Sequence, residues 1–264
     1  MQASINGIRM TYDVAGAEGA PVVVLHHPLA TNLSIWDELT PALAGKYRVV
    51  RFDARGHGQT EAPTGPYTFE TLAADVIGLM DHLSIKKADF LGLSMGGMVG
   101  QYLGLLHAGR FSTLQLVSTS SRIPDEVKHM WVDRVKVARE KGMASQVEPA
   151  LGRWITQANR AKPALVARLT KMIETTPLEG YAGWCQCIHG LNVTDRLKGI
   201  KLPTRVIVGK EDPATPVAAA EAIHRQIAGS DLVILPNVSH MLCAEDPPAF
   251  HKPVLEFLAK HAAK

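Results

Sequence analysis

The stretch Ala88-Asp89-Phe90-Leu91-Gly92-Leu93-Ser94-Met95-Gly96-Gly97-Met98 decides how the rest of the chain is read. Ala88 to Leu93 reads as a strand, and Met98 to His107 continues as an apolar helix. Between them lies Gly92-Leu93-Ser94-Met95-Gly96, a G-x-S-x-G in the strand-to-helix setting of a nucleophile elbow. The physical reason for the glycines is steric: the serine must sit on a tight, strained turn, and side chains at the neighbouring positions would collide. Downstream, Thr113 to Ser118 supplies the following strand. Upstream, Tyr47 to Asp53 is a strand, and Thr68 to Leu83 is an amphipathic helix with Leu72, Val76, Leu79, Met80 and Leu83 on one face. Pro21 to His27 reads as a buried strand followed by a helical Asn32 to Gly45, and Met1 to Ala15 as an opening hairpin turning at Asn6-Gly7. Repeated strand, helix, strand predicts an α/β fold with a mostly parallel central sheet flanked by helices.

From Arg122 to Asp195 the pattern changes. Helical periods dominate, no convincing strand appears, and all but one of the four tryptophans fall here. The expected organisation is therefore a core of residues 1–121 and 196–264 interrupted by an inserted helical cap, residues 122–195. Strands resume at Thr204 to Gly209 and Leu232 to Leu235, with helices at Val217 to Ala228 and Pro248 to Lys260.

The chain has 264 residues and 46% apolar content, enough to bury a substantial core. Its 28 lysines and arginines against 25 acidic residues give a net charge of +3 without a basic block. That balance argues against a nucleic-acid or membrane-surface partner and favours a small molecule. No apolar run approaches the roughly 20 residues of a membrane span, and no secretory signal pattern opens the chain. Three cysteines, an odd number with poor spacing for a local disulfide, suit a reducing cytoplasm.

A serine alcohol is a weak nucleophile, so the elbow predicts a histidine base and an acid that follow Ser94 in the chain. The strand ending at Gly209 runs into Lys210-Glu211-Asp212, placing acids at the carboxyl edge of the sheet, where open α/β folds bind ligands. Asp212 is preferred, with Glu211 its close competitor. His240, in a turn beyond the next strand, is the expected base. The backbone N–H of Met95 should hold a developing oxyanion together with that of Leu29, because Pro28 has no N–H to offer. His26 and His27 should point to opposite faces of their strand and so not chelate a metal together; no metal site is expected. Asp53-Ala54-Arg55-Gly56-His57-Gly58 lacks nucleotide-loop spacing and is read as a loop that braces the site. In the insertion, Trp131 and Trp154 could form an apolar wall and Arg134 a carboxylate anchor.

These residues resemble the α/β-hydrolase superfamily and, over nearly the whole chain, the bacterial 3-oxoadipate enol-lactonases. The likeness is carried by Asp53 to Gly58 with Gly65-Pro66-Tyr67-Thr68, by Gly92 to Met98, and by Asp212-Pro213-Ala214-Thr215-Pro216. It extends to stretches of the insertion around Trp131, Gly142-Met143, Arg153-Trp154 and Glu179-Gly180-Tyr181-Ala182. The resemblance implies an α/β-hydrolase fold, Ser94, Asp212 and His240 as a triad, Leu29 and Met95 amides as the oxyanion hole, and no cofactor. It favours Asp212 over Glu211. One departure stands out: His26-His27-Pro28 and Ala30 replace the small polar run and glycine common in the family. That segment borders the expected site of the reacting carbonyl and makes His27 a further candidate for substrate contact.

The expected function is serine-dependent hydrolysis of a small lactone or ester, with 3-oxoadipate enol-lactone the leading substrate. A carboxylesterase or lactonase for another acyl group is the neighbouring reading. A non-catalytic ligand receptor on the same fold is the reading from a different class. Haloalkane dehalogenases and epoxide hydrolases place an aspartate where this chain has Ser94.

Overall fold

The computed structural model describes residues 1–261; residues 262–264, the end of the second core stretch expected above, lie outside the described residues. Eight strands form one sheet: β1 (Gln2–Ile5), β2 (Ile8–Ala15), β3 (Val22–His26), β4 (Arg48–Phe52), β5 (Ala88–Leu93), β6 (Phe111–Val117), β7 (Thr204–Gly209) and β8 (Asp231–Leu235). Their order is β1-β2-β4-β3-β5-β6-β7-β8. β1 and β2 pair antiparallel through Asn6-Gly7, both at positive φ as the hairpin turn requires, and β2 pairs antiparallel with β4. From β4 to β8 all pairings are parallel.

Both faces of the sheet are covered, which is why its central strands read as continuous apolar runs rather than alternating ones. Val24, Phe90, Leu116 and Val206 face one core, packed under the helices Phe69–His82, Met95–Leu106 and Val217–Gln226. Val23, Leu91, Val117 and Ile207 face the other, against Trp36, Phe250 and Val254. Thr68 caps the Phe69–His82 helix by accepting from the Thr71 N–H. The helix expected over Asn32 to Gly45 is instead broken into a 3-10 turn, Leu33–Trp36, and a short helix, Leu39–Ala44. At the start of the stretch Asn32 accepts from Ser34 N–H, and Asp53, from the loop after β4, takes the Leu33 N–H at 2.8 Å.

Residues between β6 and β7 are helical, with helices Asp125–Val127, His129–Lys141, Val147–Trp154, Gln157–Arg160, Pro163–Glu174 and Leu178–His189 among them. The ends of this excursion are held together by Ile123 N–H to Leu191 O and Val193 N–H to Ser121 O. The Asp53–Gly58 loop ties the excursion to the sheet. Arg55 pairs with Asp75 through two bonds of 2.7 and 2.8 Å, and the Trp184 indole donates to Arg55 O at 2.7 Å. A Cβ on Gly56 would lie 2.5 Å from Gly180 Cα, so glycine permits the contact. Cys185, Cys187 and Cys243 are free and buried. No helix among the described residues is long and apolar enough to cross a membrane.

Candidate active site

β5 and the Met95–Leu106 helix join at Ser94 without an intervening loop, and Ser94 takes φ 56 and ψ −111. Such a backbone costs on the order of 1–3 kcal/mol and persists only where its surroundings hold it. Here Ser94 N–H donates to Val117 O at 2.7 Å, and Thr119 Oγ1 donates to Ser94 O at 2.7 Å. A Cβ on Gly92 would stand 2.2 Å from Gly96 O, and one on Gly96 would stand 2.4 Å from His26 O. The turn therefore closes only with glycine at both positions.

Two further turns at the same sheet edge reach Ser94. Lys210 N–H bonds Leu235 O and Glu211 N–H bonds Val238 O, so the turn after β7 lies beside the turn after β8. His240 Nε2 is 2.9 Å from Ser94 Oγ, and His240 Nδ1 is 2.8 Å from Asp212 Oδ2. Asp212 is 4% exposed and fully occupied: Oδ1 accepts from Ala214 and Thr215 N–H, and Oδ2 also accepts from Thr215 Oγ1. Burial pushes this carboxyl up, but the His240 charge and the hydrogen bonds from His240 and Thr215 outweigh it and hold the pKa below the usual carboxylate value. Glu211, its competitor in sequence, is exposed and makes no hydrogen bond to His240 among the described residues.

Met95 N–H opens a helix and has no intrahelical acceptor, and Leu29 N–H likewise makes no protein hydrogen bond among the described residues. Both residues border the cavity in front of Ser94 or adjoin it in the chain. The loop bearing Leu29 is latched from behind. Ala30, at φ 56, donates its N–H to His57 Nε2 at 3.0 Å, and Thr31 Oγ1 donates to Pro28 O at 2.8 Å.

His27 belongs to that latch and not to the cavity wall, which corrects its expected role in substrate contact. It is 0% exposed, its Nδ1 lies 2.8 Å from Pro28 O, and its Nε2 accepts from Ala54 N–H at 2.9 Å. With both ring nitrogens used by backbone, nothing remains to face a ligand. His26 lies on the opposite face against Phe52, Phe90 and Trp184. No group of His, Cys, Asp and Glu side chains among the described residues is placed to hold a metal.

His26, His27 and His57 form a buried, neutral group. Burial first, then the His27 charge, pushes His26 down to about 3. Burial lowers His27 and His57 as well. Below the ordinary value of 6.5 the unfolded chain takes up protons that the folded one refuses, so stability is complete above that pH and is lost as pH falls. The expected slope is up to about 1.4 kcal/mol per pH unit for each imidazole. Melting temperature should drop steeply between about pH 6.5 and 5, and His57→Asn should reduce the slope by about a third. A melting temperature independent of pH across that window would contradict this account.

The cavity in front of Ser94 is about 90 Å³ and is roofed by the helical excursion. Trp131, Arg134 and Trp154 line it, and Arg153 and Tyr181 line it as well. Arg153 was not anticipated, because a basic residue in a last helical turn looks like an ordinary solvated end. Arg134 stacks on Trp131 at 4.4 Å. No carboxylate pairs with Arg134 or Arg153 among the described residues, although other arginines nearby are paired. Burial and then the Arg134 charge push Arg153 down to about 10. Two half-buried cations facing one small cavity without an anion make a site suited to a negatively charged ligand.

The roof is fastened to the His240 turn. Glu245, 4% exposed, accepts from Thr156 N–H at 2.7 Å and Asn159 Nδ2 at 2.9 Å through one oxygen, and from Ser239 N–H at 2.6 Å through the other. Met241 N–H also donates to Trp154 O at 2.8 Å. Sequence reading missed Glu245, since two of its three donors, on Thr156 and Asn159, lie 86 to 89 residues away along the chain.

The family described as alpha/beta hydrolase fold matches residues 21–247. The chain belongs to this family. Among its relatives within the α/β hydrolases is 3-oxoadipate enol-lactonase 2 of Acinetobacter baylyi, 34% identical over 94% of this chain and 92% of that one. The crystal structure of the enol-lactonase from Burkholderia xenovorans LB400 is 40% identical, with TM-score 0.94 over 98% of this chain and 100% of that one. A thermophilic esterase from Thermogutta terrifontis is 27% identical, with TM-score 0.92 over 100% and 99% of the two chains. For an α/β hydrolase, a serine between strand and helix, contacted by an imidazole, is an arrangement that can attack an acyl carbon.

Proposed function

We propose that this protein is a serine hydrolase that opens 3-oxoadipate enol-lactone through an acyl-enzyme, with residues 122–195 acting as a cap over a core of 1–121 and 196–264. The observation that carries the reading is the hydrogen-bonded line from Ser94 Oγ through His240 to Asp212, with two unpaired arginines facing the same cavity. Ser94 Oγ attacks the lactone carbonyl and passes its proton to His240 Nε2, while Asp212 holds the imidazolium. The Met95 and Leu29 amides hold the oxyanion. Collapse breaks the ring C–O bond, and His240 returns the proton to the departing enol oxygen. The enol remains tethered to the acyl group, so the cap keeps it beside Ser94 until water, activated by His240, releases the dicarboxylate product.

Arg153 and Arg134 supply the anion site for the substrate carboxylate. The free, buried cysteines suit a reducing cytoplasm, and opening this lactone would place the protein in aromatic catabolism. Losing a charge-assisted hydrogen bond costs about 1.5–3 kcal/mol, so Arg153→Met should raise KM by about 10- to 100-fold with kcat little changed. Steady-state kinetics would show an unchanged KM if the carboxylate sits elsewhere.

A carboxylesterase acting on another acyl group is the second reading, favoured by His27-Pro28 and Ala30 in the loop that carries the Leu29 amide. The test of both is a time course with freshly generated enol-lactone beside simple p-nitrophenyl esters. Rapid lactone opening with slow ester cleavage supports the lactonase, and the reverse order supports the esterase. Stoichiometric ligand binding without turnover, and no covalent labelling of Ser94 by a fluorophosphonate, would mark a receptor.

A further inference from the structure

The cavity at Ser94 is small, but it does not end at its own walls. Ser120, Ile123, Trp131, Arg134, Arg153 and Ala214 line both this cavity and a groove of about 660 Å³ on its outer side. The groove runs between the start of the helical excursion and the Val217–Gln226 helix. Its floor is apolar for a structural reason: Ala218, Ala219 and Ala222 share one face of that helix and stop at Cβ, leaving a shallow trough. The opposite wall carries Val127 and Met130, which stand 38% and 39% exposed, among the few large apolar side chains left open to solvent. Of the polar residues along the groove, Ser121 and Thr194 bond each other at 2.7 Å and Arg122 lies 3.6 Å from Asp125, while the unpaired Arg134 and Arg153 stand at the mouth shared with the cavity. A water-exposed apolar trough that opens into a nucleophile's cavity fits the alkyl tail of a substrate whose reacting ring sits inside.

We propose that the protein also hydrolyses γ-lactones bearing an unbranched alkyl tail, with the ring at Ser94 and the tail laid along this groove. The proposal rests on the serine-hydrolase reading above and extends it to a second, lipophilic substrate class. The bonds balance with water alone. Ser94 Oγ joins the carbonyl carbon, the ring C–O bond breaks, and the serine proton reaches the ring oxygen by way of His240. Water then frees the serine, leaving a γ-hydroxy carboxylic acid that retains the tail.

Each methylene moved from water into an apolar setting is worth about a fourfold gain when fully buried, and about twofold in an open trough. In a series of γ-lactones carrying methyl, butyl, hexyl and octyl tails, kcat/KM should therefore rise by about two- to fourfold per methylene until the groove is filled. Ala219→Phe fills the trough without touching the inner cavity, and should abolish the rise while leaving the methyl lactone and the enol-lactone unchanged. Val127→Asp, on the other wall, should flatten the same series through polarity instead of bulk. A flat or falling series in an enzyme that opens the enol-lactone would overturn the groove proposal alone. A rise that survives in both variants would overturn it too. Failure to open any lactone, the enol-lactone included, would remove the serine-lactonase reading and this proposal with it, whereas alkyl lactones cleaved without the enol-lactone would sustain the groove and sink the proposed substrate.

Discussion

Ser94→Ala is expected to lower kcat by about 10⁶-fold, because the attacking atom is removed and the remaining groups of a triad act only as a unit with it. Residual turnover of about 10³- to 10⁴-fold over water should survive, since the oxyanion donors proposed at Leu29 and Met95 would still favour a charged carbonyl oxygen. The variant should fold, because alanine can occupy the same backbone at φ 56 at a cost similar to that of serine. A fluorophosphonate should add its mass to the wild type and not to the variant. Full lactonase and esterase activity in Ser94→Ala would refute the acyl-enzyme route outright.

Asp212→Asn should reduce kcat by about 10⁴-fold. The physical cause is the tautomer. On the proposed route Ser94 needs the lone pair of His240 on Nε2, which places the proton on Nδ1, 2.8 Å from Asp212 Oδ2. An asparagine retains the Ala214 and Thr215 contacts on one oxygen but can offer its amide donors to Nδ1, turning the proton toward Ser94. Glu211→Gln is the control and should change kcat/KM by less than about twofold, the expectation for an exposed charge away from the reacting atoms. Equal losses in both variants would mean that the acid has been misassigned.

The contrast between these two neighbours shows where sequence reading reaches its limit. Gly209-Lys210-Glu211-Asp212 places both carboxylates at the right sheet edge, but a chain of letters does not say which side chain turns inward. That choice is made by Ala214 and Thr215, whose N–H groups fold back onto Asp212 and no other residue. The same holds at His27. Its position beside the loop that carries Leu29 is legible, yet its orientation is fixed by Pro28 O and the Ala54 N–H, the latter from a different strand's loop.

Strands, the elbow and the helical excursion were determined by local pattern. The central strands declare themselves because two-sided burial demands unbroken apolar runs, and the elbow declares itself because a backbone at φ 56, closed to within 2.2 Å at Gly92, admits so few residue types. Tertiary structure alone decided the fastening of the helical excursion to the His240 turn through Glu245, the exposure of Arg153 to the cavity, and the continuity of that cavity with the outer groove. Periodicity and motif spacing encode constraints a segment meets by itself. The direction of a side chain, and the hydrogen bonds and charges it finds, depend on segments up to 146 residues away, as between Ser94 and His240, and exist only once packing has brought them together.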